Sequence, residues 1–222
     1  IGLSLTFGLF VEWRERSQRA LTRDFDAAAS EQTERVVRAV RHNLEDLDTV
    51  RRFFDGASIV SRQQFRDFVT PILEHRHWQA LEWLPRVPLD QRAAWEAAAQ
   101  RDGLPGFHFT ERDAQGRLAP ASQRAEYFPV YYLEPYAGNA AALGFAPALD
   151  HPARGTALAQ ARDHGRLAAS GRYVLVQDAA LEARFSILVF APVYRGPPVP
   201  VEVAERRRLL RGFVLGVMRV GD

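Results

Sequence analysis

The chain has 222 residues, of which 47% are hydrophobic and 25% are charged, and this composition excludes a disordered polar chain. Its net charge of +2 argues against a surface built to neutralise phosphates, so no nucleic-acid partner is expected. The absence of cysteine excludes disulfides, thiolate metal sites and a cysteine nucleophile.

The chain opens with an uncharged apolar run, Ile1 to Val11, followed by the charged segment Glu12 to Arg16. The run is shorter than the roughly 20 residues that a helix needs to cross a membrane. Because Trp13 follows it and tryptophan favours the membrane interface, we interpret residues 1–13 as the outer end of a transmembrane helix. The alternative interpretation is an apolar segment packed on the domain.

The next segment, Arg14 to Phe54, contains neither proline nor glycine and is rich in charge. Its apolar residues recur at helical spacing, which predicts a long stalk helix over residues 14–56. These apolar residues form a stripe, which packs either on the domain or on the same stripe of a second chain. Its members are Val37, Val40, Leu44, Leu47 and Phe54.

Two further helices and a strand are predicted next. Ser61 to Gln64 has the spacing of a capping box, so a helix begins there, with a kink expected at Pro71. Gln79 to Val87 is typical of a strand. Asp90 is predicted to cap a helix from Arg92 to Arg101.

The middle of the chain predicts short strands and one well-marked helix. Phe107 to Thr110 indicates a strand, and Asp113 to Gly116 the turn after it. The aromatic segment Tyr127 to Tyr132 is also typical of a strand. Asp150 to Pro152 supplies a cap and a first-turn proline for a helix that ends at His164 and Gly165.

Near the end of the chain, Arg172 to Gln177 and Phe185 to Tyr194 predict a β-hairpin. Gly196 to Arg211 is predicted to be a loop, and Gly212 to Val220 a final strand. Because hairpins make antiparallel sheets and the helices come first, the predicted fold class is α+β, with residues 57–222 forming the domain.

The sequence contains no common catalytic motif, so we expect this chain not to be an enzyme. A hydrolase without a recognised motif is the remaining enzymatic alternative. His75 and His77 fall at a helix end, where their side chains diverge, so no metal site is predicted, and no cofactor is expected. The run Arg206 to Arg208 is predicted to be a solvated surface.

An ordered series of segments resembles the CHASE domain, the extracellular sensory region of many bacterial histidine kinases and diguanylate cyclases and of plant cytokinin receptors. The series spans most of the chain from Phe53 to Asp222. Its segments are Leu81–Val87, Arg124–Val130, Pro135–Asn139, Leu143–Phe145, Pro152–Arg154, Val176–Gln177, Ala191–Tyr194 and Gly212–Gly216.

The resemblance implies a PAS-like sheet that holds a small ligand, stalk helices that form a homodimer, and membrane helices before and after the domain. It also implies a location in the periplasm, anchored in the inner membrane, and a cytoplasmic kinase or cyclase domain in the full-length protein. Plant cytokinin receptors bind the adenine ring through an aspartate where this chain has Ala146, so cytokinin binding in the plant manner is not expected. Asp150 is the carboxylate that follows in this chain.

We therefore predict that a planar or apolar small molecule binds between the sheet and the helix from Ala153 to His164. The alternative is a constitutive dimerisation or partner-binding module whose cavity is filled by its own side chains, such as Phe128, Tyr132 and Phe145. The residues predicted to line the ligand site are Tyr127, Val130, Phe145, Ala146, Gln177 and Phe190.

Overall fold

The computed structural model describes residues 2–57, 59–75, 78–147, 151–171 and 185–220. Of residues 2–24, 26–28 and 220 only the backbone is described. The chain divides into two units, Ile1–Leu44 and Glu45–Asp222.

The first unit is helical. Helix α1 spans Gly2–Asp55, a length of 54 residues, which confirms the predicted long helix. Phe25, Val36, Val37 and Val40 are exposed large apolar side chains on it. In the part of the chain that the structure describes, no helix has both the length and the apolar run that a membrane crossing needs. The interpretation of residues 1–13 as the end of a transmembrane helix stays a prediction.

The last turns of α1 belong to the second unit, and there the predicted apolar stripe is buried. Leu47, Val50 and Phe54 are almost completely inaccessible to solvent. Phe54 stacks on Trp83, with ring centroids 4.1 Å apart and planes 18° from parallel. This end of the helix is therefore an integral part of the core of the domain.

Helix α2 spans Arg62–His75 and begins at the predicted capping box. The Ser61 amide donates to Gln64 Oε1 at 2.9 Å, and the Gln64 amide donates to Ser61 Oγ at 3.2 Å. The two bonds satisfy amides that the first turn of a helix leaves without partners. Phe65 and Val69 are its fully buried side chains.

The main sheet of the second unit is antiparallel throughout, which together with the helices confirms the α+β class. Its described strands lie in the order β6-β1-β9-β8-β7. The predicted strand at 172–177 lies outside the described residues, whereas the predicted strands at 185–194 and 212–220 are confirmed. The strands are β1 Ala80–Pro85, β6 Tyr132–Glu134, β7 Ala168–Ala169, β8 Phe185–Tyr194 and β9 Leu210–Val220.

The two faces of this sheet are covered by different helices. Alternate residues of a strand point to opposite faces. On β1, Trp83 points to the outer face, where the end of α1 and α2 pack. Ala80 and Leu84 point to the inner face and join the cluster under helix α4, which spans Pro152–His164.

The segment between β1 and β6 adds small elements at the edge of the sheet. Asp90 does not cap α3, because it lies in a short 3-10 turn and Gln91 is the N-cap residue, without a side-chain bond. The strand predicted from Phe107 begins only at Thr110, and the turn Asp113 to Gly116 is confirmed. The elements are β2 Val87–Pro88, α3 Arg92–Arg101, β3 Thr110–Arg112, β4 Leu118–Pro120 and β5 Glu126–Tyr127.

Helix α4 has the predicted first-turn proline, and its cap is His151. The His151 ring accepts a bond from the Ala153 amide at 3.2 Å. The helix ends at Gly165, which adopts a left-handed conformation with φ of 68°. Asp150 lies outside the described residues.

A fifth helix, α5, spans Val203–Leu209 within the segment predicted to be a loop. It has no buried residue of its own, so no apolar stripe marks it in the sequence. Arg207 pairs with Asp163 of α4 at 2.6 Å. The arginine run is therefore partly structural, because it ties α5 to α4.

Candidate functional site

The inner face of the main sheet and α4 enclose an apolar cluster, which we call the inner core. Helix α4 contributes residues one turn apart on its sheet-facing side, and the strands contribute alternate residues. The members are Ala80, Leu84, Phe128, Val130, Leu133, Ala142, Ala157, Leu158, Ala161, Leu188, Phe190, Tyr194, Leu210, Phe213, Leu215 and Val217.

Two of the predicted lining residues lie in the inner core. Val130 is 1% exposed, and Phe190 is fully buried on β8. Phe190 is paired with Leu215 of β9 and meets Phe213 edge to face, with ring centroids 6.0 Å apart. The structure therefore brings Val130 and Phe190 into the same apolar layer under α4.

Phe145 and Ala146 are joined to this layer through the backbone. The Val130 amide donates to the Phe145 carbonyl at 2.9 Å, and the Ala146 amide donates to the Thr110 carbonyl at 3.0 Å. Both side chains are buried. Backbone hydrogen bonds thus hold this part of the predicted lining to its neighbours.

Tyr127 belongs to a different group of contacts, around α3. Its hydroxyl donates to the Ser122 carbonyl at 3.0 Å and accepts a bond from the Arg124 amide at 3.0 Å. The Arg92 guanidinium lies over its ring, 5.1 Å from the centroid. The structure places Tyr127 in this network, apart from Val130 and Phe190, and Gln177 lies outside the described residues.

A carboxyl that the sequence reasoning did not single out also faces the inner core. Glu82 lies on β1 between Ala80 and Leu84 in the inward alternation, and it is 4% exposed. Burial raises the pKa of its carboxyl to about 8. A single acid in an otherwise apolar strand is the sequence signal that marks such a residue.

A polar cleft of about 480 Å³ opens beside α2 and β6. Arg62 donates to Asp102 at 2.9 Å, and Arg66 donates to Glu134 at 2.7 Å. Hydrogen bonding to Glu134 raises the pKa of Arg66. Both cations have carboxylate partners, although Nη2 of Arg62 is buried without a hydrogen-bond partner. None of the predicted lining residues borders this cleft.

The outer face carries the connection to the stalk helix. Arg211, at the start of β9, donates to the carbonyl oxygens of Phe54 at 2.7 Å and Ala57 at 2.9 Å. The Phe54 carbonyl lies in the last turn of α1, where carbonyls lack partners within the helix, and Ala57 follows the end of the helix. Burial raises the pKa of the neighbouring Asp55 carboxyl, against the opposing effect of Arg51. Strands β1 and β9 therefore hold the end of the stalk helix directly.

Comparison with known families identifies this architecture. The family model described as the CHASE domain matches residues 58–222, and the chain therefore belongs to the CHASE domain family. The CHASE domain is an extracytoplasmic sensory domain of membrane signalling receptors and is not a catalytic domain. Among curated proteins, none matches the chain.

Among the described residues, no group of three or more histidine, aspartate or glutamate side chains is placed to hold a metal ion. His75 instead lies with Nδ1 2.8 Å from the Pro71 carbonyl oxygen at the end of α2.

Proposed function

We propose that this chain is the ligand-binding sensor region of a membrane-anchored receptor of the histidine kinase or diguanylate cyclase type. A small molecule binds between the inner face of the main sheet and α4, and the stalk helix carries the response to the membrane. The observation that carries the proposal is the attachment of the end of α1 to β1 and β9 through Trp83 and Arg211. The sensory family to which the chain belongs supports it.

The sheet order supports a PAS-like fold for the sensor. Numbered along the chain, the five described strands of the main sheet lie in the order 2-1-5-4-3. That order characterises PAS folds, whose ligands bind between the sheet and the helices on its inner face. We place the sensor in the periplasm, with residues 1–13 as the outer end of one membrane helix and a further membrane helix after the domain.

Coupling requires two arrangements of the domain that differ in ligand affinity, because a ligand that binds both equally shifts nothing. Neighbouring residues of β1 contact both sides of the sheet: Glu82 faces the inner core, and Trp83 stacks on Phe54 of the stalk helix. A displacement of β1 by a ligand would therefore move the stalk contact directly. This short path is the proposed route of the signal.

The ligand proposal is tested by a thermal-shift screen of the chain against purines, amino acids and carboxylates. We expect a compound that stabilises the wild type to lose its effect in Ala157→Phe, because the added ring would take the proposed position of the ligand between α4 and the sheet. Ala93→Phe on the exposed side of α3 is the matched control. A compound that stabilises both variants equally would place its site elsewhere.

A second candidate function is a constitutive dimerisation or partner-binding module. It is favoured by the dense filling of the inner core with the chain's own side chains, Phe128 among them. In this case no small molecule would stabilise the chain, and a stable dimer or a bound partner protein would be the functional state. The thermal-shift screen separates the two candidates.

The proposed homodimer uses the exposed apolar side chains of α1. We expect the double variant Val37→Arg and Val40→Arg to sediment as a monomer, because two charges then replace the apolar stripe. Glu31→Arg is the control, since it changes the net charge equally at an exposed position outside the stripe. If the wild type sediments as a monomer in analytical ultracentrifugation, the dimer proposal is wrong.

A further inference from the structure

Glu82 lies near the centre of the main sheet, on its inner face. Its strand is paired on both sides, and Glu82 stands opposite Leu133 of β6 and Leu215 of β9. Beyond Leu215, the next strand places Phe190 in the same row. All three neighbours belong to the inner core. The carboxyl therefore lies in the apolar layer that α4 covers.

A second buried carboxylate in the domain, that of Glu134, does have hydrogen-bond donors as partners. Glu134 is 8% exposed, and it accepts bonds from Arg66 at 2.7 Å and from the Tyr136 amide at 3.2 Å. In the described chain no group donates a hydrogen bond to Glu82, and no charge offsets its burial. A buried polar group without a partner destabilises a fold, and an apolar side chain of similar size does not. Glu82 therefore has no evident structural role.

We propose that Glu82 recognises the ligand of the inner core and that this ligand carries an amino or amidino group on an apolar body. The inference rests on the proposed ligand-sensing function and assigns its ligand class. The N–H groups of the ligand supply the missing donors, and the apolar body contacts side chains such as Phe190 and Leu215. In an apolar layer, the attraction between the two charges is stronger than in water.

The described side chains that neighbouring elements present to Glu82 are apolar, apart from Arg154 on α4. Strands β6 and β9 present Leu133 and Leu215 to it. On the sheet-facing side of α4, the buried residues are alanines and a leucine apart from Arg154, whose Nη1 donates to the Pro147 carbonyl at 3.5 Å. Because burial is the cause that raises the pKa of Glu82, the free carboxyl is protonated at neutral pH. A cationic ligand makes it ionise, and one proton is released on binding.

The test uses benzamidine and benzylamine as probes, with benzyl alcohol and benzoate as neutral and anionic counterparts of similar shape. Titration calorimetry on the full chain is expected to detect the two cations and to show at least tenfold weaker binding in Glu82→Gln. This variant removes the ionisable group and keeps the shape, so it is expected to fold. Glu74→Gln, at an exposed position of α2, is the matched control and is expected to bind like the wild type.

A second readout is the pH dependence of binding. Because a proton leaves Glu82, the affinity of wild type for benzamidine is expected to rise roughly tenfold between pH 6 and pH 7 and to level off near pH 8, and not to rise in Glu82→Gln. Equal binding of benzamidine by wild type and Glu82→Gln would overturn the inference, as would binding of only the neutral or anionic probes. In both cases the ligand-sensing proposal survives. If no compound in the thermal-shift screen stabilises the chain, both this inference and the ligand-sensing proposal are wrong.

Discussion

Between pH 5 and pH 8 the wild-type chain is expected to lose several kcal/mol of unfolding free energy that the Glu82→Gln variant keeps. Burial raises the pKa of Glu82 from its ordinary value of 4.5 to about 8. Over this interval the folded chain holds a proton that the unfolded chain has released. The free energy of unfolding therefore falls as the pH rises, by at most about 1.4 kcal/mol per pH unit, and levels off above pH 8.

The measurement is chemical unfolding of both chains at half-unit steps from pH 5 to pH 9. Asp163 does not interfere, because hydrogen bonds from Arg207 and Arg162 lower its pKa. The ionised Asp163 carboxylate adds to the free energy of unfolding above the ordinary aspartate pKa. That contribution is lost only as the pH falls through the acid range. A wild-type curve as flat as that of Glu82→Gln would show that the carboxyl is solvated or paired in solution.

This dependence makes the unliganded domain sensitive to the pH of its surroundings. A domain stability of about 5–15 kcal/mol is typical, so a loss of several kcal/mol is a large fraction of the total. A cation bound at Glu82 would restore part of it, since a ligand that binds only the folded state stabilises that state. Ligand response and pH response would then share one side chain.

Local sequence signals predicted the elements whose boundaries are set by nearby residues. The capping bonds between Ser61 and Gln64 and the proline and glycine that bracket α4 are of this kind. Helix α5 was missed because it has no buried face, and its link to the domain is the long-range pair of Arg207 and Asp163. A contact of that kind leaves no periodic pattern in the sequence.

The residues of the candidate site also divide into those that local signals predicted and those whose placement depends on long-range contacts. The strands β8 and β9 were both predicted, and β8 carries Phe190, but their pairing with each other was not predicted. Both faces of β1 are buried, and its long-range pairing with β6 and β9 places Glu82 opposite residues of the inner core. Tyr127 was predicted to line the same site as Phe190, yet its contacts are with Arg92 and Ser122.

Replacing Trp83 by alanine is expected to lower the free energy of unfolding by about 3–5 kcal/mol, the usual range for a large buried ring. Trp83 is 6% exposed and stacks on Phe54, so its loss removes the contact that joins β1 to the end of α1. Trp95→Ala on α3 is the control, because that ring is only partly buried and meets Tyr131 edge-on. Urea unfolding of both variants measures the difference, and equal losses would contradict this role of Trp83.

The same variant tests how the signal leaves the ligand site. If β1 carries it, Trp83→Ala should bind the ligand of the inner core as wild type does, because its side chain lies on the opposite face from Glu82. Ligand should then slow amide hydrogen exchange in residues 45–55 of the wild type and leave these amides unchanged in Trp83→Ala. Slowing of exchange in both chains would mean that the bonds from Arg211 to the carbonyls of Phe54 and Ala57 suffice for the transmission.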